Sequence, residues 1–569
     1  MNLEEFILPI NYQKKIRNLD ENVINDLELR ETENNKSIYE NIFEPKTNFG
    51  KNTMNLWINN YSYDKNFLND TKNLIDKTDI FNIPDDISFN NIENIYKIID
   101  NDKEFNNKYS YINFDYFKYL NQNELVLLSL SLYNISSPIL SLISPIFLLL
   151  FPFLLIKMQG YDINIENYVT FLKQSFKQHA LGALFSDFNS IKIEKKIYII
   201  VTIIFYFYQM YQNIISCINY FKKLSSIHKY LFDIKDYINF SINKMELFYN
   251  KSILYKTYKQ FNKNLFNHIE YLKNFLEKLN KILPYTLSFN KIKELGYLLK
   301  IFYNLKNDSL YLKSLKYSFY FNGYLENLSQ LKINIDNNII NYSNNSSKIE
   351  FYNAYYPPLK NENPIKNSYK LNKHIIITGP NASGKTTLLK TTAINIILNQ
   401  QIGCGFYSKA NIKLFDFIHS YINIPDTSGR DSLFQAEARR CKEIIDKINK
   451  NSKSKKHLCI FDELYSGTNP YEAIGSAFSL IEYLDKIKNL NFVLTTHYTD
   501  LCNKLNNKSS INNCKMKVEK DITNKNFTYT YKLVKGISSI KGGTKVLNDL
   551  NYPKTIVKSI NNVLNKIDI

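Results

Sequence analysis

The sequence is poor in the residues that build disulfide or metal scaffolds. Its six cysteines are scattered over 569 residues, without a C-x-x-C pair and without the Cys/His spacing of a zinc site. Cysteines used in this way are small apolar side chains in a reducing compartment. Neither a disulfide framework nor a structural zinc site is predicted.

The N-terminus lacks the positive charge of a targeting segment. The chain begins MNLEEFILPI, with Glu4 and Glu5 where a signal peptide carries basic residues. No secretory or organelle-import segment is predicted from this stretch, and we expect an intracellular protein.

Negative charge is scarce outside the first part of the chain. Residues 1–120 carry 14 Lys and Arg against 21 Asp and Glu, a balance of −7, so with a total of +19 the remainder carries +26. The basic part could bind a phosphate polymer or an anionic membrane. A nucleotide-biased genome, rich in Lys, Asn, Ile and Tyr codons, would produce the same excess, so charge alone leaves both explanations open.

Two long segments lack charged side chains altogether. Residues 125–156 contain none over 32 positions and residues 197–221 contain none over 25. Both exceed the ~20 apolar residues that cross a bilayer, so both are candidate membrane segments. Lysines flank them, as is typical of segment ends at headgroups: Lys157, Lys195, Lys196, Lys222 and Lys223.

The details of these segments leave their setting open. Pro138, Pro145 and Pro152 recur every seven residues, which predicts a kinked span or a re-entrant hairpin rather than one straight helix. Polar residues within the runs, and lysines between them, favour instead a buried helical core in a large domain. The length of the two uncharged segments favours membrane insertion.

Glycine and proline are absent from residue 222 to residue 283, where apolar residues recur at helical spacing. Long helices, forming a lever or an antiparallel hairpin, are predicted there. A second helical set follows to about residue 331, and then the Asn/Ser-rich joint "NNIINYSNNSSK". Four domains are predicted. The first two are an acidic, Asn-rich N-terminal region with short helices (1–120) and a hydrophobic region (121–225). A helical core or lever region (226–347) and an α/β domain (348–569) follow.

The α/β domain contains the pattern GxxxxGK[ST] after the apolar run "HIIIT" and before "TTLLKTTAINII". Glycines let backbone N–H groups converge on phosphate oxygens, the lysine neutralises phosphate charge, and the following hydroxyl is a magnesium ligand. The N-terminus of the following helix favours the anion. The predicted ATP-binding residues are Gly379, Pro380, Asn381, Ala382, Ser383, Gly384, Lys385, Thr386 and Thr387.

Two later strand-like runs end in polar side chains. "HLCIFDELYSGTN" places Asp462 and Glu463 after a buried run, and "NFVLTTHYTD" places His497 after another. Asp462, with Thr386, is predicted to hold Mg²⁺, and Glu463 to polarise the attacking water. His497 is predicted to contact the γ-phosphate.

These motifs resemble those of the MutS mismatch-repair ATPases, a family with an ABC-type P-loop domain. "TGPNASGKTT", "SLFQAEARRCKEIID", "FDELYSGTNPYEA" and "TTHYTDL" carry the resemblance, which is specific over about residues 348–560. The predicted fold class is therefore α plus α/β and multidomain, with an all-α helical core or lever region followed by a C-terminal ABC-type P-loop α/β ATPase domain.

The resemblance implies a homodimer, or a heterodimer with a MutS-like partner, with composite ATP sites. Lys385, Asp462, Glu463 and His497 would hold ATP and Mg²⁺ in one subunit, while Ser432 and the turn 466–468 approach from the other. ATP-driven closure around DNA, mismatched or branched, is the implied function. The family's mismatch-reading Phe-x-Glu element has no counterpart in the first 120 residues. The alternative is a membrane-anchored mechanoenzyme, attached through 125–156 and 197–221, that acts on a membrane or protein partner without mismatch recognition.

Overall fold

The structure is a computed structural model that describes residues 4–32, 36–85, 87–160, 165–178, 193–284, 289–422, 424, 432–451, 454–520, 527–540, 547, 550–553, 555–556 and 559–560. The chain forms two compact units. The first groups residues 1–84, 243–269 and 316–569, and the second groups 85–242 and 270–315. This grouping is by contact, and the sequential domain division given above stays a prediction.

Helices dominate the first two-thirds of the chain. The first unit begins with four short helices, α1 to α4: Glu21–Asp26, Glu40–Phe43, Asn48–Met54 and Lys65–Asp76. The next helices, α5 to α8, are Phe89–Asn101, Phe105–Lys108, Glu124–Met158 and Ile165–Gln178. Long helices follow as α9 to α12: Ile193–Ser252, Lys259–Asn280, Phe289–Asn307 and Ser309–Asp336. The short N-terminal helices and the long helices after residue 222 agree with the helices predicted from the sequence.

The C-terminal part alternates strands and helices. The strands β1 to β7 are Ile16–Asn18, Asn60–Ser62, Asn341–Asn345, Glu350–Ala354, Asn367–Lys370, His374–Thr378 and Cys404–Gly405. The strands β8 to β13 are Lys409–Ile412, Phe417–Tyr421, His457–Asp462, Leu490–Thr496, Ile511–Lys520 and Phe527–Lys535. The helices α13 to α16 are Lys385–Ile402, Leu433–Lys450, Pro470–Asp485 and Thr499–Leu505.

Three sheets are formed by these strands. The largest has six strands in the order β13-β12-β6-β11-β10-β9, in which β12, β6, β11, β10 and β9 are parallel and β13 is antiparallel to β12. A five-stranded sheet has the order β5-β4-β8-β3-β7, and β1 pairs with β2. The chain therefore combines a helical part with an α/β part.

The central strands of the large sheet are apolar because helices cover both faces. Every residue of β6 is buried, and five of the six in β10 are buried. Continuous β-branched and aromatic runs of this kind are typical of parallel sheets buried on both sides. The carboxyl ends of β6, β10 and β11 consequently meet at one edge, where the polar residues that follow them are brought together.

The N-terminal segment covers the helix that follows β6. Helix α13 is buried at 16 of its 18 positions, which a helix with one solvent face could not be. Gln401 donates to the backbone carbonyls of Trp57 and Asn60, at 2.7 and 2.9 Å, and accepts from Tyr39 at 2.8 Å. The ammonium of Lys390, on the same helix, pairs with Glu28 at 3.0 Å. These hydrogen bonds satisfy the buried amide and attach residues 28–60 to the α/β part.

The second unit holds the two uncharged segments. Helix α7 continues through Pro138, Pro145 and Pro152, so the re-entrant break expected within 125–156 is wrong. Two described helical stretches, Glu124–Ser144 and Lys196–Ser252, are long and apolar enough to cross a membrane. Only 11% and 6% of their most apolar windows are buried. In the described chain, therefore, the most apolar windows of both stretches are largely exposed, whereas the later part of α9, from Leu224 to Phe248, contributes to the core.

Candidate functional site

The candidate site is built on the loop between β6 and α13, which we call the glycine-rich loop, residues 379–386. Gly384 has φ +90° and Ala382 has φ 63°, so the backbone turns sharply before the helix. Glycine alone adopts the first of these angles without strain. At Gly379 a side chain would also collide, because its Cβ would lie 2.7 Å from Ser383 Oγ. The sequence spacing of the two glycines thus matches two positions where the fold requires them.

Lys385 is held inside this loop. Its side chain is 4% exposed, and Nζ donates to Gly379 O at 2.9 Å, to Pro380 O at 3.3 Å and to Asn381 Oδ1 at 3.4 Å. The same ammonium lies 3.3 Å from Glu463 Oε1. A buried ammonium needs such partners, because an unpaired charge of this kind is strongly disfavoured. The loop therefore presents one fixed positive charge at the edge of the sheet.

The next side chain contacts the end of β10. Thr386 Oγ1 donates to Asp462 Oδ2 at 2.8 Å, and Thr495 Oγ1, near the end of β11, donates to the other carboxylate oxygen. The carboxylate is thus oriented from both sides. A hydroxyl and a carboxylate in contact supply the oxygen ligands that Mg²⁺ prefers.

Glu463 follows Asp462 in a left-handed backbone conformation, φ 49°. Its N–H donates to Thr495 O at 3.0 Å, which anchors the turned backbone to β11. The His497 ring, 3.8 Å away, and the Lys385 ammonium lower the pKa of Glu463 to about 2, against the opposing effect of partial burial. The carboxylate is therefore ionised at neutral pH, as a proton acceptor must be.

Lys385, Thr386, Asp462 and Glu463 line one cavity of about 570 Å³, whereas Thr495 and His497 are not among its lining residues. That volume falls in the range of small-molecule sites. Ser383 Oγ is buried there without a hydrogen-bond partner in the structure, and a buried hydroxyl of this kind indicates a missing acceptor. The cavity is lined by residues 381–388 of the loop and helix, by Asp462 and Glu463, and by residues on the other side: Ala354, Tyr355, Tyr356, Leu359, Glu362, Asn363, Pro364, Ile365, Asn367, Thr391, Met516 and Tyr531.

Tyr355 and Tyr356 are two of the three aromatic residues in this lining, the third being Tyr531. Tyr355 donates its hydroxyl proton to Ile339 O at 2.6 Å, which fixes its ring. Burial raises the pKa of both tyrosines to about 12, so both are neutral and present apolar ring surface. A planar apolar group next to the glycine-rich loop could pack against them.

A second turn lies beyond Glu463. The backbone N–H and the hydroxyl of Ser466 donate to Glu437 Oε1, both at 3.0 Å, and the N–H of Gly467 donates to Glu437 Oε2 at 3.2 Å. A Cβ on Gly467 would lie 2.6 Å from Leu433 Cγ, so this glycine permits close packing against the start of α14. Glu437, 3% exposed, thus fixes the turn 466–468.

Ser432 lies outside the cavity lining and has a local structural role. Its hydroxyl accepts from Gln435 N at 3.3 Å, and its own N–H donates to the Gln435 side chain at 2.9 Å. This reciprocal pair is a capping box at the N-terminus of α14. Gly429 and Arg430, which precede the stretch "SLFQAEARRCKEIID" in the sequence, lie within 425–431, outside the described residues.

Comparison with known proteins identifies this part of the chain. Residues 375–568 match the model of MutS domain V. This C-terminal part of the chain is thus similar to the ATPase-containing part of MutS proteins. The chain is 31% identical over 274 residues to the DNA mismatch repair protein MutS of Finegoldia magna, a match covering 43% of the chain and 31% of that protein. The MutS of Parabacteroides distasonis is 31% identical over 236 residues, 39% of the chain and 26% of that protein.

A related enzyme of another name also matches. Endonuclease MutS2 of Staphylococcus aureus is 29% identical over 232 residues, 38% of the chain and 31% of that protein. The matched region spans about a third or less of these curated relatives. The match to MutS domain V begins inside β6 and includes the glycine-rich loop, Asp462, Glu463 and His497.

Two residues that shape this candidate site were not predicted from the sequence. Thr495 orients Asp462, and Glu437 holds the turn 466–468. Thr495 carries a weak signal, because a hydroxyl at the end of a buried strand faces the same edge as its neighbours. Glu437 carries none, since nothing in its spacing shows which backbone groups its carboxylate accepts from.

Proposed function

We propose that this chain is a MutS-family, Mg²⁺-dependent ATPase that couples ATP hydrolysis to DNA binding and dimer closure. The observation that carries the proposal is the convergence of Lys385, Thr386, Asp462 and Glu463 on one cavity edge. An ABC-type P-loop fold is supported by the parallel β6-β11-β10 core with the loop and α13 directly after β6. The names of the curated relatives support the DNA-repair setting.

In this proposal the glycine-rich loop binds the phosphates. Its backbone N–H groups and the N-terminus of α13 orient the anion, and Ser383 Oγ, buried without an acceptor, gains one. Lys385 then exchanges its protein carbonyl acceptors for phosphate oxygens. Tyr355 and Tyr356 pack against the base.

Thr386 and Asp462 are the residues that would hold Mg²⁺. Their contact at 2.8 Å places a hydroxyl and a carboxylate together at the loop, which fits a small oxygen-ligated cation. When bound, the ion neutralises charge on the phosphate oxygens. Thr495 keeps the Asp462 carboxylate oriented.

Glu463 is the proton acceptor for the attacking water. Its lowered pKa ensures that the carboxylate is ionised, and its backbone anchor to Thr495 fixes its position. The water oxygen attacks the γ-phosphorus, the bond to the bridging oxygen breaks, and Glu463 takes the proton that the water loses. His497, on the next strand end, orients Glu463 and contacts the γ-phosphate side.

The turn 466–468 and Ser432 are proposed to face the second subunit. Glu437 holds the turn in one conformation, and the small residues Ser466 and Gly467 permit close backbone approach. Two chains would then close around DNA when both sites hold ATP. The net charge of +26 after residue 120 supports contacts to DNA phosphates.

The test is a comparison of ATPase rates of the purified full chain without DNA and with homoduplex, mismatched and branched DNA. Glu463→Gln is the control for contaminating activity. We expect DNA to change the wild-type rate, and the affinity for DNA to fall steeply between 50 and 200 mM salt. If the chain hydrolyses ATP but binds none of the DNA substrates, and none of them changes its ATPase rate, the proposed coupling to DNA is wrong. The proposed ATP hydrolysis would be unaffected by that result.

A further inference from the structure

The two uncharged segments form a pair of antiparallel helices within the second unit. Side chains link them at three levels. Ser131 Oγ lies 2.8 Å from Tyr220 Oη, Cys217 Sγ donates to Ile135 O at 3.3 Å, and Tyr206 Oη donates to Ser141 O at 3.2 Å. Numbers rise along α7 as they fall along α9, so the helices run in opposite directions. We call residues 125–156 and 197–221 the apolar hairpin.

Within residues 132–144 and 200–219, the outer surface of the apolar hairpin is uncovered and largely apolar. After Ser131, no described residue of α7 up to Ser144 is buried, and none is buried between residues 200 and 219 of α9. Such a continuous exposed apolar surface on a protein indicates a binding partner or a membrane. Its large exposed side chains are Leu132, Tyr133, Ile139, Leu140, Leu142, Ile200, Val201, Ile204, Phe205, Phe207, Tyr208, Tyr211, Ile214 and Ile218.

The prolines of α7 bear on whether this surface faces water or lipid. Proline has no N–H, so Pro138 and Pro145 leave the carbonyls of Asn134 and Ser141, four residues earlier, without their helical donors. Ser137 Oγ donates to Asn134 O at 3.1 Å. Ser144 Oγ donates to Ser141 O at 2.9 Å, and Tyr206 adds a second bond from α9.

Each described Ser-Pro pair thus supplies its own replacement donor. Water would solvate these carbonyls at an exposed helix surface, and no replacement would be needed there. In hydrocarbon, every backbone polar group must be satisfied within the protein. The internal bonds at both prolines therefore meet the requirement that a lipid environment would impose on α7.

The length of the apolar hairpin also fits a bilayer. The 25 uncharged residues of α9 extend about 37 Å at 1.5 Å per residue, against a hydrocarbon core of about 30 Å. The three linking contacts place this stretch beside the uncharged part of α7. Charged residues begin beyond each end, with Glu124, Lys222 and Lys223 at one end and Lys157 and Lys196 at the other.

One face of α9 is polar. Gln209, Gln212, Ser216 and Asn219 are exposed and recur at helical spacing, on a face distinct from the seam with α7. Amides are disfavoured in hydrocarbon unless another helix bonds them. In a bilayer this stripe would therefore have to face another helix rather than acyl chains.

We propose that the apolar hairpin crosses a lipid bilayer twice and anchors the chain through its contact with acyl chains. Both ends that join the rest of the chain, near residues 124 and 222, then lie on one side, and the connection 157–196 lies on the other. Because lysines flank both ends, they do not select an orientation. The anchor does not depend on the proposed ATPase activity.

The test uses the full chain reconstituted into vesicles of phosphatidylcholine and phosphatidylglycerol at 3:1. We expect the protein to float with the vesicles after washes with 1 M salt and with alkaline carbonate, which release proteins held by charge. The double variant Leu140→Lys/Ile204→Lys should reduce the carbonate-resistant fraction at least tenfold. Leu254→Lys, which changes a leucine that is 75% exposed just after α9, should leave it unchanged.

Retained ATP binding checks that the double variant is folded. Wild-type protein that carbonate releases, or a double variant that partitions as wild type, overturns the proposal. So does a detergent-free soluble oligomer whose apolar hairpin is protected from protease, since a second copy would then cover the surface instead of lipid. If the purified full chain shows no ATPase activity but resists carbonate extraction, the proposed function is wrong and the proposed membrane anchor is not.

Discussion

The Lys385 ammonium lies 3.3 Å from the Glu463 carboxylate, joining the glycine-rich loop to the residue after β10. Each group stabilises the charge of the other, and Lys385, with the His497 ring, lowers the pKa of Glu463 to about 2. In the proposed function, phosphate oxygens would compete with the Glu463 carboxylate for the Lys385 ammonium. Nucleotide binding would then weaken this ion pair and make Glu463 more available to water.

Replacing Glu463 with Gln should separate ATP binding from hydrolysis. The amide keeps the size of the side chain but cannot accept the proton, so we expect kcat to fall by roughly 10²- to 10⁴-fold. Affinity for ATP should stay within about threefold of wild type. Single-turnover hydrolysis and equilibrium nucleotide binding measure the two quantities, and an unimpaired kcat would remove Glu463 from its assigned role.

Replacing Lys385 with Ala should weaken nucleotide binding itself. A charged hydrogen bond contributes about 1.5–3 kcal/mol, so the Kd for ATP should rise roughly 10- to 100-fold. Lys373→Ala is the matched control, because Lys373 is exposed just before β6 and should leave the Kd unchanged. Calorimetric titration with ATP measures the Kd of both variants. If Lys385→Ala binds ATP as tightly as Lys373→Ala, Lys385 is not part of the ATP site.

The contact between Thr386 and Asp462 predicts a change in magnesium dependence. Asp462→Asn removes the negative charge that would attract the cation while leaving an oxygen beside Thr386. The Mg²⁺ concentration that supports half-maximal hydrolysis should rise about tenfold or more. Asp500→Asn, at an exposed acid of α16, is the control and should not shift the titration.

The site residues supplied by the glycine-rich loop, β10 and β11 could be anticipated from the sequence, because one physical rule places them. Parallel buried strands end at a common edge, so the loop after β6 and the residues after β10 meet whatever the rest of the chain does. Lys385, Asp462 and Glu463 follow from that rule. The run "HIIIT" is a buried strand, in agreement with its three consecutive β-branched isoleucines.

Other features depend on tertiary contacts that no local pattern contains. The attachment of residues 28–60 to α13 uses the backbone carbonyls of Trp57 and Asn60, and a carbonyl has the same chemistry at every position. Glu437 is one acid among many until the fold places it against the turn 466–468. Of the two predictions for α7, only the re-entrant hairpin is contradicted by the continuous helix Glu124–Met158; the serines before Pro138 and Pro145 supply hydrogen bonds that a count of prolines does not consider.

Buried histidines in the large sheet predict that the α/β part loses stability below neutral pH. Burial lowers the pKa of His374 to about 4 and that of His419 to about 3, and it also lowers the pKa of His457. His419 Nε2 and His457 Nδ1 lie 3.1 Å apart, a contact that two protonated rings could not make. In the unfolded chain these histidines take up protons near pH 6.5, whereas in the folded chain they do not.

The unfolded state therefore binds more protons as the pH falls from about 6.5 toward 4, and stability is full above that window and declines within it. Each histidine contributes up to about 1.4 kcal/mol per pH unit there. Urea unfolding at pH 7.0 and 5.0 should show the loss, and His419→Phe/His457→Phe should make it smaller. The double variant removes both protonation sites but keeps aromatic rings stacked beside Phe417, so unchanged pH dependence in it would show that these two histidines are not the cause.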